Sequence, residues 1–139
     1  MVANAVLMDA SYTGMTPLHV AARDGRADVV RYLLAGGADL NACNHLERTP
    51  LHLAAAEGQE DIVELLLEHG AHVDITDVFG MTPLHLAVFM DRRAVVALLL
   101  GYGACVNLRN ETDVTPLGMA TVHNHGSLAT LLREYGAQY

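Results

Sequence analysis

Eight histidines are the first residues of this sequence to consider for chemistry, because imidazole binds metal ions and exchanges protons near neutral pH. Two pairs lie close together in the chain. His69 and His72 stand on either side of Gly70, a residue type that ends helices, and His123 and His125 lie two residues apart, a spacing that places side chains on different faces of a helix. No set of Cys and His residues has the spacing of a zinc site, so the sequence predicts no bound metal.

Catalytic groups are not arranged as a set in this sequence. No nucleophile stands with a base and an orienting residue, and no Gly-rich loop carries a phosphate-binding Lys, since the chain has no Lys. The densest carboxylates are Glu57, Glu60, Asp61, Glu64 and Glu68, of which positions 60, 64 and 68 share one helix stripe. We interpret the stripe as a solvated outer face, with attraction of a basic partner as the alternative. The sequence predicts neither an enzyme nor a cofactor.

Charge and hydropathy argue against two classes of partner. The formal net charge of −8 over 139 residues is opposite to the basic stripe that nucleic-acid binding requires. No apolar run approaches the about 20 residues of a membrane helix, and the N-terminal segment lacks the features of a signal peptide. We therefore expect no nucleic-acid or membrane partner. Two cysteines cannot form a disulfide framework, so we expect a cytoplasmic or nuclear protein.

The sequence repeats itself every 33 residues. The string Thr16-Pro17-Leu18-His19-Val20-Ala21 returns from Thr49, from Thr82 and, in degraded form, from Thr115. A second string, Gly37-Ala38-Asp39-Leu40-Asn41, keeps the same interval. Four copies in one register with no insertion are not expected by chance. The motif residues are Thr16, Pro17 and His19; Thr49, Pro50 and His52; Thr82, Pro83 and His85; and Thr115 and Pro116.

These strings resemble the signature of the ankyrin-repeat family, whose T-P-L-H-x-A motif recurs with this period. The resemblance covers about residues 11–139. It implies an all-α solenoid of stacked helix–turn–helix units, with β-hairpin loops on one side and a function in protein–protein recognition. It also implies that His19, His52 and His85 form hydrogen bonds between neighbouring turns.

Local residue chemistry independently predicts a pair of helices in each repeat. The motif Thr suits the N-cap of the first helix, and the Pro after it suits the first helical position. Gly25 and Gly58 suit a left-handed C-cap, whereas repeats three and four have Asp91 and Asn124 there, so we expect those two turns to differ in shape. In repeat two the second helix is predicted over 60–68, and a glycine follows each second helix.

Both ends of the array carry a prediction. The position occupied by Leu34, Leu67 and Leu100 becomes Arg133 in the last copy, which predicts a C-terminal cap with a polar outer face. Residues 4–8 align with the end of a repeat, which favours missing upstream repeats over a self-associating N-terminal face; we expect a monomer. The predicted units are an N-terminal segment or partial cap over 1–10, repeats over 11–43, 44–76 and 77–109, and the capping repeat over 110–139.

Cys43 and Cys105 lie nearly two repeats apart. Packed helical layers are separated by about 8–10 Å, so two layers exceed the about 7 Å between Cα atoms that a disulfide tolerates. We expect two free thiols.

Candidate partner-binding residues follow from the resemblance, because ankyrin arrays bind through hairpin tips and the exposed side of the first helix. Many residues at these positions are large and apolar, and such a patch marks an interaction site. For Phe79 and Met81 packing between loops is an equal alternative, whereas Phe89 and Met90 favour binding. The candidates are Tyr12, Met15, Leu46, Arg48, Val78, Phe79, Met81, Phe89, Met90, Val122 and His123.

The leading hypothesis is therefore a module that binds a partner protein or peptide on its concave face. The alternatives are an architectural spacer within a longer array and an engineered ankyrin binder; drift between the copies argues against the latter. The resemblance also marks Asn41 and Asn107 as positions where the family is modified by an asparaginyl hydroxylase, with plain hydrogen bonding within the loop as the better supported role.

Overall fold

The computed structural model of the chain describes residues 13–138, which form eight α-helices and contain no β-strand. The all-α prediction is confirmed, whereas the projecting loops of this part of the chain are turns rather than hairpins of strands. No helix in it is long and apolar enough to cross a membrane. The first helices are α1 (Pro17–Asp24), α3 (Pro50–Glu57), α5 (Pro83–Phe89) and α7 (Pro116–Val122). The second helices are α2 (Ala27–Ala35), α4 (Glu60–Glu68), α6 (Arg93–Gly101) and α8 (Gly126–Glu134).

The motif threonine begins every first helix. Thr49 has an extended backbone, and its hydroxyl accepts a hydrogen bond from the backbone N–H of His52 at 3.3 Å. Pro50 follows at the first helical position, where its missing N–H leaves no hydrogen bond unmade. Thr16, Thr82 and Thr115 make the same cap in the other three repeats.

The turn between the two helices has the same backbone in all four repeats. Gly25 and Gly58 are left-handed with φ of 74°, and Asp91 and Asn124 are left-handed with φ of 60° and 62°. The expectation that the last two turns differ in shape is therefore wrong, apart from a first helix that ends one residue earlier. The physical reason is a shared hydrogen bond: the N–H of the next residue donates to the carbonyl five residues back at 2.8–2.9 Å in every copy.

Helices stack in two layers. Each first helix contacts the second helix of its own repeat and the first helices of neighbouring repeats, and the second helices contact each other in the same way. Leu67 and Leu100 are buried between repeats and Arg133 is exposed, but Leu34 is only half-buried against the core. Leu34 is thus less covered than its counterparts in repeats two and three.

The N-terminal side of repeat one is less covered than the matching side of repeat two. Val29 and Leu33 are half-buried, whereas their counterparts Ile62 and Leu66 are fully buried. The alignment of residues 4–8 with a repeat end lies outside the described residues.

Replacing Leu67 by Ala should lower the free energy of unfolding by about 2–5 kcal/mol, because it removes buried methyl groups and leaves a cavity between repeats. Arg133→Ala, at the matching position of the last repeat, should cost less than about 0.5 kcal/mol since its side chain is exposed. Urea titrations of both variants measure the two costs. Equal costs would contradict the inference that position 133 no longer faces a repeat.

Candidate protein-binding face

A polar side chain, buried in repeats two and three and half-buried in repeat four, opens each loop of these three repeats. The Asn44 side-chain oxygen accepts hydrogen bonds from the backbone N–H groups of Leu46 and Arg48, both at 3.0 Å. Asp77 and Asn110 do the same in the next two loops. These residues hold each loop in a tight turn. The sequence analysis missed them, although an Asn or Asp five residues before each motif Thr of repeats two to four is visible in the sequence.

The motif histidines join each repeat to the following loop. The backbone N–H of Thr49 donates to His52 Nδ1 at 3.0 Å, so Nδ1 carries no proton and Nε2 does. His52 Nε2 therefore donates to the Met81 carbonyl at 2.9 Å. His19 and His85 make the same bond to the carbonyls of Arg48 and Val114, at 2.8 and 3.0 Å.

The loops are also bonded directly to one another. The N–H of His45 donates to the Thr13 carbonyl, that of Val78 to Leu46, and that of Glu111 to Phe79, at 2.9–3.0 Å. The loops therefore form a continuous row along one side of the helices. Gly80 permits the last of these approaches, because a Cβ on it would lie 2.7 Å from the Glu111 nitrogen and its φ is +74°.

Five of the predicted binding residues are half-buried in this row: Met15, Leu46, Arg48, Val78 and Met81. Arg48 Nε forms an ion pair with the buried Asp77 carboxylate at 3.0 Å. Met81 packs against the core, and its sulfur accepts from the Asn110 amide at 3.2 Å. Both side chains therefore support the loops, which for Met81 favours the packing alternative. Tyr12 lies outside the described residues.

The ends of the first helices of repeats three and four present an apolar patch, which we define as Phe89, Met90 and Val122. Phe89 is 46% exposed, Met90 42% and Val122 78%. Val122 holds in α7 the position that Phe89 holds in α5, and these helices pack side by side. Phe79, on the loop of repeat three, is also exposed. These four residues are the large apolar members of the predicted set that remain accessible.

His123 borders the patch. The His123 and Phe89 rings are in a T-shaped contact with their centroids 5.0 Å apart. The His125 ring stacks on the His123 ring with a centroid distance of 6.2 Å. The expectation that these two histidines face apart is wrong, because they lie in the turn after α7 rather than on a regular helix. His125 Nδ1 lies 3.8 Å from an Asp91 carboxylate oxygen. Within residues 13–138 no three His, Cys, Asp or Glu side chains are grouped to hold a metal ion.

Comparison with known families decides the classification. Residues 2–77 match a family model described as ankyrin repeats (3 copies), and residues 79–111 match one described as an ankyrin repeat. The chain belongs to the ankyrin-repeat family. Ankyrin repeats are in general protein-interaction modules, so the projecting loops and helix ends are the part of the molecule to consider for binding.

A curated relative matches a short part of this ankyrin array. The mouse (Mus musculus) protein phosphatase 1 regulatory subunit 27 is 56% identical over 32 residues, which cover 23% of this chain and 21% of that protein. The match is thus about one repeat long, and the chain spans about a fifth of that relative.

On the side of the ankyrin loops away from the tips, side chains bond to the next repeat. The Asn41 side-chain oxygen accepts from the N–H of His72 at 3.0 Å, and Asn107 accepts from Gln138 at 2.7 Å. Asp74, the counterpart in repeat two, accepts from Cys105 at 3.0 Å. Because the Asp74 carboxylate accepts the same bond as the two Asn side chains, these contacts support a hydrogen-bonding role for Asn41 and Asn107 over their modification. Cys43 and Cys105 are exposed free thiols.

Burial lowers the pKa of His52 to about 4, despite its bond to the Met81 carbonyl. The pKa values of His19 and His85 are lowered for the same reason. Below its ordinary pKa of 6.5 an unfolded histidine binds a proton that the folded one rejects. Stability is therefore present above about pH 6.5 and decreases as the pH falls toward 4.

We expect the free energy of unfolding to fall between pH 7 and pH 5, with about 2 kcal/mol of the loss from His52 alone. Urea titrations at several pH values measure the slope. His52→Gln should reduce that slope, because the amide does not titrate. His72→Gln, which makes the same substitution at an exposed histidine outside the repeat motif, is the control. A free energy of unfolding that stays constant over this range would contradict the neutral buried imidazole.

Proposed function

We propose that this ankyrin array binds a partner protein or peptide on the concave surface formed by its loop tips and first-helix ends, with the apolar patch at the centre. The exposure of Phe89 and Met90 at the end of a helix that is otherwise buried is the observation that carries the proposal. In α5 the residues from Pro83 to Val88 are all buried, so the core of repeat three is complete without the two that follow.

Comparison with the other repeats supports a binding role. The positions of Phe89 and Met90 hold Arg23 and Asp24 in repeat one and a small residue and Glu57 in repeat two. The fold therefore accepts polar groups at both positions, as repeat one shows. Covering an exposed side chain of this size stabilises a complex by up to about 1.5–3 kcal/mol. Stacking of the repeats leaves these side chains exposed, so this free energy is gained only when a partner binds.

An architectural spacer is the competing function. A spacer needs the inter-repeat hydrogen bonds and the buried leucines, but it has no use for an accessible patch of Phe, Met and Val. The partly matching relative bears the name of a phosphatase regulatory subunit, which supports a role in binding another protein. The patch and this name together favour the binding module.

Phe89→Ala/Met90→Ala should weaken partner binding by about 2 kcal/mol or more, because aromatic and large apolar groups at the centre of an interface dominate its energy. The partner is first recovered by pull-down with the wild-type protein from a lysate of the source cells, and the purified pair is titrated by calorimetry. Tyr102→Ala is the matched control, since Tyr102 is 43% exposed but ends the second helix of the same repeat.

The double variant should keep its melting temperature within a few degrees of the wild type, because the two side chains are outside the buried core. Unchanged affinity together with a large drop in melting temperature would assign Phe89 and Met90 to the core and refute the proposal. Equal loss of affinity in Tyr102→Ala would place the interface elsewhere.

A further inference from the structure

Free carboxylates lie beside the apolar patch. Glu57, the last residue of α3, occupies the repeat position of Met90, which directly follows α5, and the two helices pack side by side. Helices in such contact are about 8–10 Å apart, so a bound segment that covers Met90 also reaches Glu57. Glu57 is exposed and makes no ion pair with any residue of 13–138.

The exposed loop aromatic has a similar neighbour. The backbone N–H of Glu111 donates to the Phe79 carbonyl at 3.0 Å, which places the two residues side by side on adjacent loops. Glu111 is exposed, and its carboxylate also lacks an ion-pair partner in the described part of the chain. An uncompensated glutamate one repeat away thus lies beside Phe79 and another beside Met90 of the apolar patch.

The arginines of the same surface are already engaged. Arg23 forms hydrogen bonds with the Asp24 carboxylate at 2.9 and 3.3 Å, and Arg48 pairs with the buried Asp77. Arg92 donates through Nε to the Ala56 carbonyl at 3.0 Å, at the end of α3. These guanidinium groups are used within the protein, and the whole chain has a formal net charge of −8.

We propose that the partner segment is basic, with Arg or Lys residues flanking aromatic or aliphatic anchors. The anchors cover the apolar patch and Phe79, and the cations lie against Glu57 and Glu111. This deepens the proposed function and rests on it. Exposed ion pairs contribute little affinity each, so their main effects are selection against acidic segments and a binding strength that falls with added salt.

Peptide selection tests this chemistry without knowledge of the natural partner. A library of short random peptides displayed on phage is selected against the wild type, against Glu57→Gln/Glu111→Gln and against Phe89→Ala/Met90→Ala. Glu60→Gln/Glu64→Gln is the matched control, because it removes two exposed carboxylates from α4, on the side of the second helices. Selected peptides are then synthesised and titrated against all four proteins at low and high salt.

We expect the wild type to enrich peptides of net positive charge with at least one large apolar residue. Affinity should fall about fivefold in Glu57→Gln/Glu111→Gln, fall further in Phe89→Ala/Met90→Ala, and stay within about twofold in the control. Added salt should weaken binding to the wild type more than to the glutamine variant.

Two results overturn different parts of the argument. Enriched peptides that are neutral or acidic, or that bind Glu57→Gln/Glu111→Gln as tightly as the wild type, refute the basic partner while leaving the binding face intact if they still require Phe89 and Met90. Peptides that bind Phe89→Ala/Met90→Ala as tightly as the wild type refute the proposed face itself.

Discussion

The neutral imidazole of the motif histidines is the interaction on which the rest of the structure depends. In each of the first three repeats its Nδ1 accepts a hydrogen bond from the N–H of the Thr that begins its own helix, and its Nε2–H donates one to a carbonyl 29 residues later. Both ring nitrogens are satisfied although His19, His52 and His85 are completely buried. One histidine side chain therefore stabilises the start of its own helix and fixes the position of the next loop relative to that helix.

The Nε2–H of each histidine donates to a main-chain carbonyl, so this bond does not depend on the side chain of the acceptor residue. The three acceptor carbonyls belong to Arg48, Met81 and Val114, whose side chains differ in size and charge. This bond therefore forms with any side chain at the acceptor residue, although Arg48 and Met81 add side-chain contacts that support their loops. Phe89, Met90 and Glu57 are exposed at the helix ends and take no part in these inter-repeat hydrogen bonds.

The 33-residue periodicity made the helices predictable. The exposure of individual loop residues depends on contacts with neighbouring loops, which the periodicity does not reveal. Glu60–Glu68 was predicted with its observed bounds, because charge at its start and a glycine after its end leave little freedom. For both Phe79 and Met81 the sequence left binding and packing equally open, yet Phe79 is exposed and Met81 is packed against the core. That difference depends on the Asn110 amide of the following loop, which a single repeat does not reveal.

Two errors have the same origin. Asp91 and Asn124 adopt the conformation of Gly25 because a backbone hydrogen bond requires it, and that bond outweighs the mild steric cost of a side chain there. His123 and His125 stack because the helix has already ended, so helical geometry does not apply to them. In both cases the intrinsic preference of a residue was overruled by the constraint of joining two helices in a fixed number of residues.

The constant offset of the inter-repeat bonds has a consequence for how such a chain evolves. Each motif histidine bonds to the residue 29 positions later, and each side chain at the end of repeats one to three bonds to the N–H 31 positions later. A gene duplication that inserts a second copy of residues 44–76 leaves every one of these offsets intact, because the copy brings both the donor and the acceptor that its neighbours need. An insertion or deletion that is not a whole number of repeats changes the offset of every bond that spans it. We therefore expect the length of such an array to evolve by whole repeats and its surface to evolve by single substitutions.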